Sequence, residues 1–290
     1  MVTGLPLVSV IIPTYHDWSR LQLCLAAVAE QTYPSEQLEV IVVNNDPADS
    51  PSDLEFPGNW FLLSEPKKGS YAARNRGIFA ARGEIVAFTD SDCIPYPDWI
   101  EQAVNALQAG ANRVAGRVEL FFQSSKLTAA EVYEKAFAFD QEKNARTGGS
   151  ITANMITWRK NFEKIGFFND GLQSGGDNEW GWRAQAKGIN IVYAPSVVVR
   201  HPARHSLQEL LKKEKRVVGG VVNIKSIGPI HGRLLGYFDD FIPPVKPFFK
   251  LISRKDLPLS EKIVATFILA TLRLYRIFQR MRFSSHRGSK

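Results

Sequence analysis

Two carboxylates lie two residues apart in this sequence. Asp90 and Asp92 flank Ser91 directly after an apolar stretch at residues 84–89. In an extended segment, side chains two residues apart point the same way. Two oxygen donors in that arrangement suit Mg²⁺ or Mn²⁺, which take further ligands from water and substrate phosphates. The pair therefore predicts a site for a metal and a phosphate, and capping of the next helix is the alternative for Asp92.

A further candidate catalytic carboxylate, that of Asp177, directly precedes the helix predicted over residues 178–187. Asp177 follows two glycines there, and we expect it to act as a general base, which needs hydrogen-bond reach to an acceptor hydroxyl. Capping of that helix is the alternative role for Asp177, and one side chain can do both. His201 directly follows a strand predicted at 197–200. It is a candidate metal ligand or phosphate donor, with a surface or packing role as the alternative.

The elements that position these residues alternate along the chain. Strands are predicted at residues 7–12, 38–43, 60–63, 84–89, 191–194 and 197–200, and helices over 70–82 and from 97 to about 107. Leu21, Cys24, Leu25 and Val28 form the apolar stripe of another helix. This alternation predicts an α/β fold with a mostly parallel sheet. Ligands of such sheets bind beyond the carboxyl ends of the strands, where the polar residues of this chain cluster.

Composition restricts the class of protein and the compartment. The 290 residues are 44% hydrophobic and 22% charged, which is ordinary for a globular protein. Cys24 and Cys93 show no metal-binding spacing, so we expect a reducing, cytoplasmic environment. The first residues have neither the basic nor the apolar region of a secretory signal.

Basic charge is concentrated near the C-terminus. Residues 1–200 hold 18 basic and 23 acidic residues, whereas residues 201–290 hold 18 and 6. A helix predicted over 263–281 places Arg273, Arg276 and Arg280 beside apolar residues, Phe267, Ile268, Leu272, Ile277 and Phe278. This pattern suits an interfacial helix on an anionic membrane surface, and packing on the protein or on a second subunit is the alternative. Nucleic acid is not expected as a partner, because no clear stacking platform accompanies the charge.

Three other enzyme classes fit poorly. The segment after the first strand lacks the GxGxxG of dinucleotide enzymes, and the chain lacks the GxxxxGK[ST] of P-loop enzymes. A sugar-nucleotide pyrophosphorylase should have a glycine-rich basic loop after its first strand, where this chain has IIPTYHDWS.

Five segments in order resemble family 2 glycosyltransferases of the GT-A fold. They are VSVIIPTYHDWSRLQLCLAAVAEQTYP, LEVIVVNND, GSYAARNRGIFAARGEIVAFTDSDCIPYPDWIE, TANMITWRKNFEKIGFFND and GGDNEWGWRAQAKGINIVYAPSVVVRH, which together cover about residues 7–201. The resemblance implies a GT-A domain at 1–205, with a nucleotide-sugar half at about 1–110 and an acceptor half at about 111–205. Residues 206–290 would be a basic helical extension.

The resemblance also implies roles for individual residues. The donor-binding residues would be Pro13, Tyr15, Asn44, Asn45, Arg74, Asn75, Asp90 and Ser91. Asp92, Asp90 and His201 would hold Mn²⁺ or Mg²⁺, and Asp177 would be the base of an inverting reaction. Trp180 and Arg183 fill the usual hydrophobic and arginine positions after that base.

Two departures from the family pattern bear on function. Asn44 and Asn45 stand where acidic residues are usual, and Gly176 replaces the usual Glu before the base. The expected activity is transfer of a sugar from a nucleotide-diphosphate sugar to a hydroxyl of a glycan or lipid-linked glycan, in the cytoplasm or on the cytoplasmic face of a membrane. The alternative hypothesis is a non-catalytic nucleotide-sugar-binding or glycan-assembly protein.

Overall fold

The computed structural model describes residues 4–49, 51, 56–227 and 245–285. Side chains at 221–227, 245, 246 and 283–285 are outside the described set. The chain divides into two compact units. The first comprises residues 1–119, 139–172 and 176–201, and the second comprises 120–138, 173–175 and 202–290. The predicted division at residue 205 remains a prediction, and the second unit includes a segment from before that point.

An eight-stranded mixed sheet has the order β3-β2-β1-β4-β7-β6-β8-β5. The strands are β1 Val8–Thr14, β2 Leu38–Asn44, β3 Trp60–Ser64, β4 Ile85–Phe88, β5 Ile94–Pro95, β6 Arg113–Phe121, β7 Met155–Trp158 and β8 Ile191–Pro202. The first four are parallel to one another, whereas β7 runs antiparallel to β4 and to β6. The α/β architecture expected from the alternating pattern is confirmed.

The centre of this sheet is apolar on both faces. β2 is buried at all seven positions and β4 at all four, as expected for parallel strands covered by helices. The helices of the first unit are α1 Trp18–Ala29, α2 Ser70–Ala80, α3 Trp99–Gln108, α5 Gln141–Arg146, α6 Lys160–Ile165 and α7 Gly176–Ala186. In α1 the predicted stripe of Leu21, Cys24, Leu25 and Val28 is buried. These helices and strands bring the carboxyl ends of β1, β2 and β4 to one edge.

Three elements between residues 111 and 146 were not predicted from sequence: β6, α4 and α5. β6 begins with Arg113, a charge that argues against a buried strand, and contains Gly116, which lacks a side chain to pack. Arg113 is buried because its guanidinium donates to the carbonyls of Ile189, Gly148 and Gly181. Gly116 is required because a Cβ there would lie 2.3 Å from Asn154 Nδ2. Tertiary contacts thus override the local signals.

The two short strands expected at 191–194 and 197–200 are one continuous strand, β8. Pro195 lies between the two expected strands, and proline cannot donate to a strand ladder. Its fixed φ nevertheless suits extended backbone, so the strand continues through it. The longer strand places His201 near its carboxyl end.

In the described part of the second unit the helices are α4 Ala129–Phe137, α8 Leu207–Ile227, α9 Val245–Ser253 and α10 Leu259–Ser285. Helix α8 begins with a capping box, in which Ser206 Oγ accepts from Glu209 N at 3.3 Å and Glu209 Oε2 accepts from Ser206 N at 3.2 Å. An aromatic and proline-rich segment, YFDDFIPPVKPFFKLIS, occupies residues 237–253, and its first eight residues lie outside the described set. In the described ranges, no helix has the length and apolar character needed to cross a bilayer.

Candidate active site

Asp90 and Asp92 emerge from the carboxyl end of β4. The strand is fully buried and Thr89 after it is inaccessible, whereas both carboxylates are half-buried. Arg74 from α2 forms an ion pair with Asp90 Oδ1, and the Arg74 side chain is only 5% exposed. Asp90 is therefore held by a buried guanidinium on one side and remains accessible on the other.

His201 reaches the same place from β8. One ligand atom each from Asp90, Asp92, Cys93 and His201 lies within 4.8 Å of all the others. His201 Nε2 is 3.7 Å from Asp92 Oδ1. The ring of Phe139, whose φ of 51° lies in the left-handed region, packs against the His201 imidazole with 4.6 Å between centroids. The structure thus brings together the three residues that the sequence predicted as metal ligands.

The protonation states of these side chains decide which metal ligands the cluster can offer. Burial raises the pKa of Asp92, His201 opposes this shift, and Asp90 adds to it. A cation between the two carboxylates would favour their ionised forms. Burial also raises the pKa of the Cys93 thiol well above its usual value, so at neutral pH Cys93 is a neutral thiol. Two carboxylates and one imidazole fit Mn²⁺ or Mg²⁺ better than a thiolate metal.

The side chains of Arg20 and Asp17 contact Asp92 and Ser91. Arg20 NH1 is 3.6 Å from Asp92 Oδ2, and Arg20 Nε donates to Asp17 Oδ1 at 2.7 Å. Ser91 Oγ is bonded to the same Asp17, at 3.1 Å from Oδ2. This bond from Ser91 fixes the segment that carries Asp90 and Asp92 to the start of α1. The role of Ser91 in donor binding stays a prediction.

Asp177 lies in the first turn of α7 and is 8% exposed. Its Oδ1 accepts from Tyr71 OH at 3.1 Å and from Asn178 N at 2.9 Å, and the main chain of Thr152 also bonds to the carboxylate. Burial raises the pKa of Asp177, while these donors and the charge of Arg74 lower it. A buried carboxylate with a raised pKa accepts a proton more readily than an exposed one.

Tyr71 and Gly176 are fitted to each other. A Cβ on Gly176 would lie 2.8 Å from Tyr71 Cε2, which is closer than real Cβ contacts. The Tyr71 ring is held in place by Phe168 at 5.7 Å between centroids and by Arg74, whose Cζ is 5.8 Å from the ring centroid. The glycine that replaces the usual Glu therefore makes room for a tyrosine that bonds to Asp177.

These contacts connect Asp177 with the carboxylate cluster. Tyr71 bonds to Asp177, Arg74 lies over the Tyr71 ring, and Arg74 pairs with Asp90. Tyr71 and Arg74 are three residues apart on α2, so they share one helix face. One helix face thus connects the candidate base with a candidate metal ligand.

The residues after Asp177 have structural contacts. Glu179 forms a bidentate pair with Arg183, at 2.7 Å from Nε and 3.0 Å from NH2. Arg183 also donates to the carbonyls of Ile165 and Phe167. Trp180 is fully buried and donates to Gly166 O at 2.7 Å. These contacts fix α7 and therefore the position of Asp177.

The carboxyl ends of β1 and β2 bring the other predicted donor residues together. Thr14 is in register with Asn44, and Asn45 N donates to Thr14 O at 2.9 Å. Pro13 is half-buried in β1, and Tyr15 is 52% exposed just beyond it. The predicted donor-binding residues of this region therefore lie at the ends of neighbouring strands: Pro13, Tyr15, Asn44 and Asn45.

The two asparagines hold the backbone of this edge. Asn44 Nδ2 donates to the carbonyls of Asp46 and Asp49, and Asn44 Oδ1 accepts from Asp46 N. Asn45 Nδ2 donates to the carbonyls of Glu65 and Lys67, and its Oδ1 accepts from Gly69 N. An amide can both donate and accept in this way, whereas a carboxylate cannot donate. Their contact with a nucleotide remains a prediction.

Asn75 is also engaged with the main chain. Its Nδ2 donates to Phe168 O at 2.9 Å, and its Oδ1 accepts from Phe168 N at 3.1 Å. Asn75 thereby fixes the aromatic residue that packs on Tyr71. Its predicted contact with the donor stays a prediction.

Sequence reasoning missed Tyr71, Cys93 and Arg20 as members of this site. Cys93 directly follows Asp92, and Tyr71 is three residues before Arg74, so sequence spacing gave a signal for both. Arg20 had no such signal, because its proximity to Asp92 depends on how α1 packs against β5.

Comparison with known proteins agrees with this fold. The Glycosyl transferase family 2 model matches residues 9–166. Glycosyltransferase AglE of Haloferax volcanii is 37% identical over 233 residues, which cover 77% of this chain and 76% of that protein. Pre-mycofactocin glycosyltransferase of Mycobacterium tuberculosis is 26% identical over 227 residues, covering 73% and 46% respectively.

Two solved structures share the architecture. Mannosyltransferase PcManGT from Pyrobaculum calidifontis, in complex with GDP-Man and Mn²⁺, superposes with a TM-score of 0.59 at 18% identity, covering 97% of this chain and 87% of that one. GalNAc-T7 with UDP, GalNAc and Mn²⁺ gives a TM-score of 0.52 at 16% identity, covering 70% and 45%. The expected GT-A-type fold is confirmed.

Two observations define the class of protein. The fold is α/β with acidic residues at the sheet edge, and the family model matches more than half of the chain. The chain belongs to glycosyl transferase family 2, and it is a glycosyltransferase.

Proposed function

We propose that this glycosyltransferase moves a sugar from a nucleotide-diphosphate sugar to an acceptor hydroxyl, with Asp177 as the general base. The observation that carries the proposal is the connection from Asp177 through Tyr71 and Arg74 to Asp90. The two similar solved structures are complexes with GDP-Man and Mn²⁺ and with UDP, GalNAc and Mn²⁺, which supports a nucleotide-sugar donor and a divalent metal here.

The residues that would hold the metal are Asp90, Asp92 and His201, whose ligand atoms lie within 4.8 Å of one another. When bound, a divalent cation neutralises the donor diphosphate and makes it a better leaving group. We assign Mn²⁺ or Mg²⁺ to this position, because carboxylate oxygens suit either ion. Arg74 supplies a fixed positive charge beside Asp90 on the same edge.

Asp177 would accept the proton of the acceptor hydroxyl. The acceptor oxygen forms a bond to the anomeric carbon, the bond from that carbon to the phosphate oxygen breaks, and the nucleoside diphosphate leaves. One in-line displacement inverts the anomeric configuration. Burial of Asp177 supports its role, since it raises the pKa of this carboxyl towards the working pH.

Tyr71 would position Asp177 for this transfer. Its hydroxyl and the Asn178 amide both bond to Oδ1, which fixes the plane of the carboxylate. A base held in one orientation loses less entropy when the acceptor binds. Gly176 supports the same role, because any side chain there would displace the Tyr71 ring.

We propose a glycan or a lipid-linked glycan as the acceptor and the cytoplasm as the compartment. The two cysteines are free thiols in the interior, which suits a reducing compartment. A nucleotide-sugar donor also suits the cytoplasmic side of a membrane. Fractionation of cells that express the full chain would test the location.

The proposed base is tested with Asp177→Asn. This variant should bind the donor as the wild type does and lose turnover by about a thousandfold, since general base catalysis contributes roughly 10²–10⁴-fold. Donor binding is followed by calorimetry, and release of nucleoside diphosphate is followed by a coupled assay. Asp256→Asn is the matched control, because its carboxylate is exposed in the second unit.

Two results would contradict the proposal. Near-normal turnover in Asp177→Asn would show that Asp177 is not the general base. Tight donor binding without turnover in the wild type, with any acceptor tried, would instead favour a nucleotide-sugar-binding protein. NMR of the product shows whether the anomeric configuration is inverted.

A further inference from the structure

Helix α10 has apolar residues on two opposite faces. On the inner face, Ile268, Leu269 and Leu272 are buried in a cluster with Ala130 and Tyr133 of α4 and Leu210 of α8. The sequence had placed Ile268 and Leu272 beside the basic residues of an interfacial helix. The structure places both in the interior of the second unit, so they do not meet a partner.

The other face of α10 points to solvent. The "outer face" of α10 comprises five exposed residues, Ile263 at 62%, Phe267 at 71%, Leu274 at 69%, Phe278 at 59% and Met281 at 63%. At 3.6 residues per turn these positions fall within an arc of about 60°, and they extend over about 27 Å of helix. A contiguous exposed stripe of this kind indicates an interaction surface rather than scattered surface residues.

The charge around this face favours a negatively charged partner. Arg273 and Arg280 lie to one side of the stripe and Arg282 to the other, by the helical spacing. No acidic residue occurs from 262 to 290. A second copy of the chain would bring two strongly basic segments together, whereas anionic phosphates would complement them.

The neighbouring helix adds similar residues in the same unit. In α9, Phe248, Phe249 and Ile252 are 44%, 65% and 50% exposed. Leu251 of α9 is buried in a cluster with Ala265 of α10, so the two helices are packed together. Aromatic residues interleaved with basic ones are typical of helices that lie in the plane of a bilayer interface.

We propose that the outer face of α10 binds the surface of an anionic lipid membrane. The apolar side chains would enter the acyl boundary, while the arginines reach the phosphate level with their long side chains. A face of about 27 Å in length would lie parallel to the surface, as an interfacial helix does. This inference is independent of the transfer reaction.

The test is co-sedimentation of the full chain with vesicles made of equal parts phosphatidylcholine and phosphatidylglycerol. The double variant Phe267→Ser/Leu274→Ser should bind at least about tenfold more weakly, because it removes two apolar side chains that would be buried in the acyl boundary. The matched control is Leu23→Ser/Phe79→Ser, which removes a Leu and a Phe that are 60% and 66% exposed in the first unit. Circular dichroism checks that both variants are folded.

We expect the control and Asp177→Asn to bind like the wild type, and binding to fall with added salt and on phosphatidylcholine alone. Equal sedimentation of wild type and Phe267→Ser/Leu274→Ser would overturn the proposal. Absence of wild-type binding, together with a dimer that this variant converts to monomer, would overturn it in favour of a second copy. Vesicle binding by a wild type that shows no turnover with any donor would count against the proposed reaction alone.

Discussion

Replacing Tyr71 with Phe separates the positioning of the base from its chemistry. The change removes one hydroxyl, whose oxygen is 3.1 Å from Asp177 Oδ1, and keeps the ring that packs on Phe168 and Arg74. Gly176 remains compatible with the ring, so we expect the variant to fold.

The size of the effect follows from the strength of this bond. A hydrogen bond to a charged group contributes about 1.5–3 kcal/mol, and the 3.1 Å separation favours the lower end. About 1.4 kcal/mol corresponds to a factor of ten in rate or one pH unit in a titration. Burial already raises the pKa of Asp177 and Tyr71 opposes that shift, so loss of the hydroxyl moves the pKa further upward.

The assay is the pH dependence of kcat. We expect the acid limb of the profile to move upward by about one pH unit, with about tenfold less turnover below the midpoint and a smaller loss on the plateau. KM for the donor should change little, because Tyr71 contacts the base rather than the carboxylate cluster.

Tyr33→Phe is the matched control for this prediction. Tyr33 is also a buried phenol with one hydrogen bond, which it donates to Pro6 O at 2.6 Å. It is therefore expected to lose stability and to keep the wild-type pH profile. If Tyr71→Phe and Tyr33→Phe both have the wild-type profile, Tyr71 does not position Asp177.

Three further predictions concern glycine, charge and a buried arginine. Gly176→Ala should lower kcat about tenfold by displacing Tyr71, whereas Gly58→Ala, with no atom within 4 Å of its Cβ, should not. The pKa of Asp177 is higher in the folded than in the unfolded protein, so its ionised form destabilises the folded state at neutral pH. Asp177→Asn should therefore raise the Tm at neutral pH. At acid pH, where Asp177 is protonated, this difference in Tm should disappear. Arg113→Lys should lower the free energy of unfolding by about 3 kcal/mol in urea titrations, since it leaves buried carbonyls without donors.

The sequence was informative where local pattern and final structure agree. The apolar runs of β1, β2 and β4 and the stripe of α1 are covered on the sides that their periodicity indicated. Since parallel strands end at one edge, the convergence of polar residues at that edge followed from the alternation of elements.

Other features depend on contacts that no local pattern carries. Arg113 in β6 is tolerated only because carbonyls from distant segments accept its protons, and Gly176 is needed only because of Tyr71, which lies 105 positions earlier. The inner and outer faces of α10 are both apolar, so helical periodicity could not show which face packs on α4 and α8. Tertiary packing decided each of these cases.

The most direct test of the account is metal-dependent donor binding. UDP-, GDP- and dTDP-sugars would be titrated into the wild type with Mn²⁺, with Mg²⁺ and with a chelator. Asp92→Ala is the test variant and Asp256→Ala the control. We expect that one donor binds only with metal, that Asp92→Ala loses this binding, and that Asp256→Ala keeps it. Equal binding with the chelator, or full binding in Asp92→Ala, would contradict the assignment of this cluster to a metal and a diphosphate.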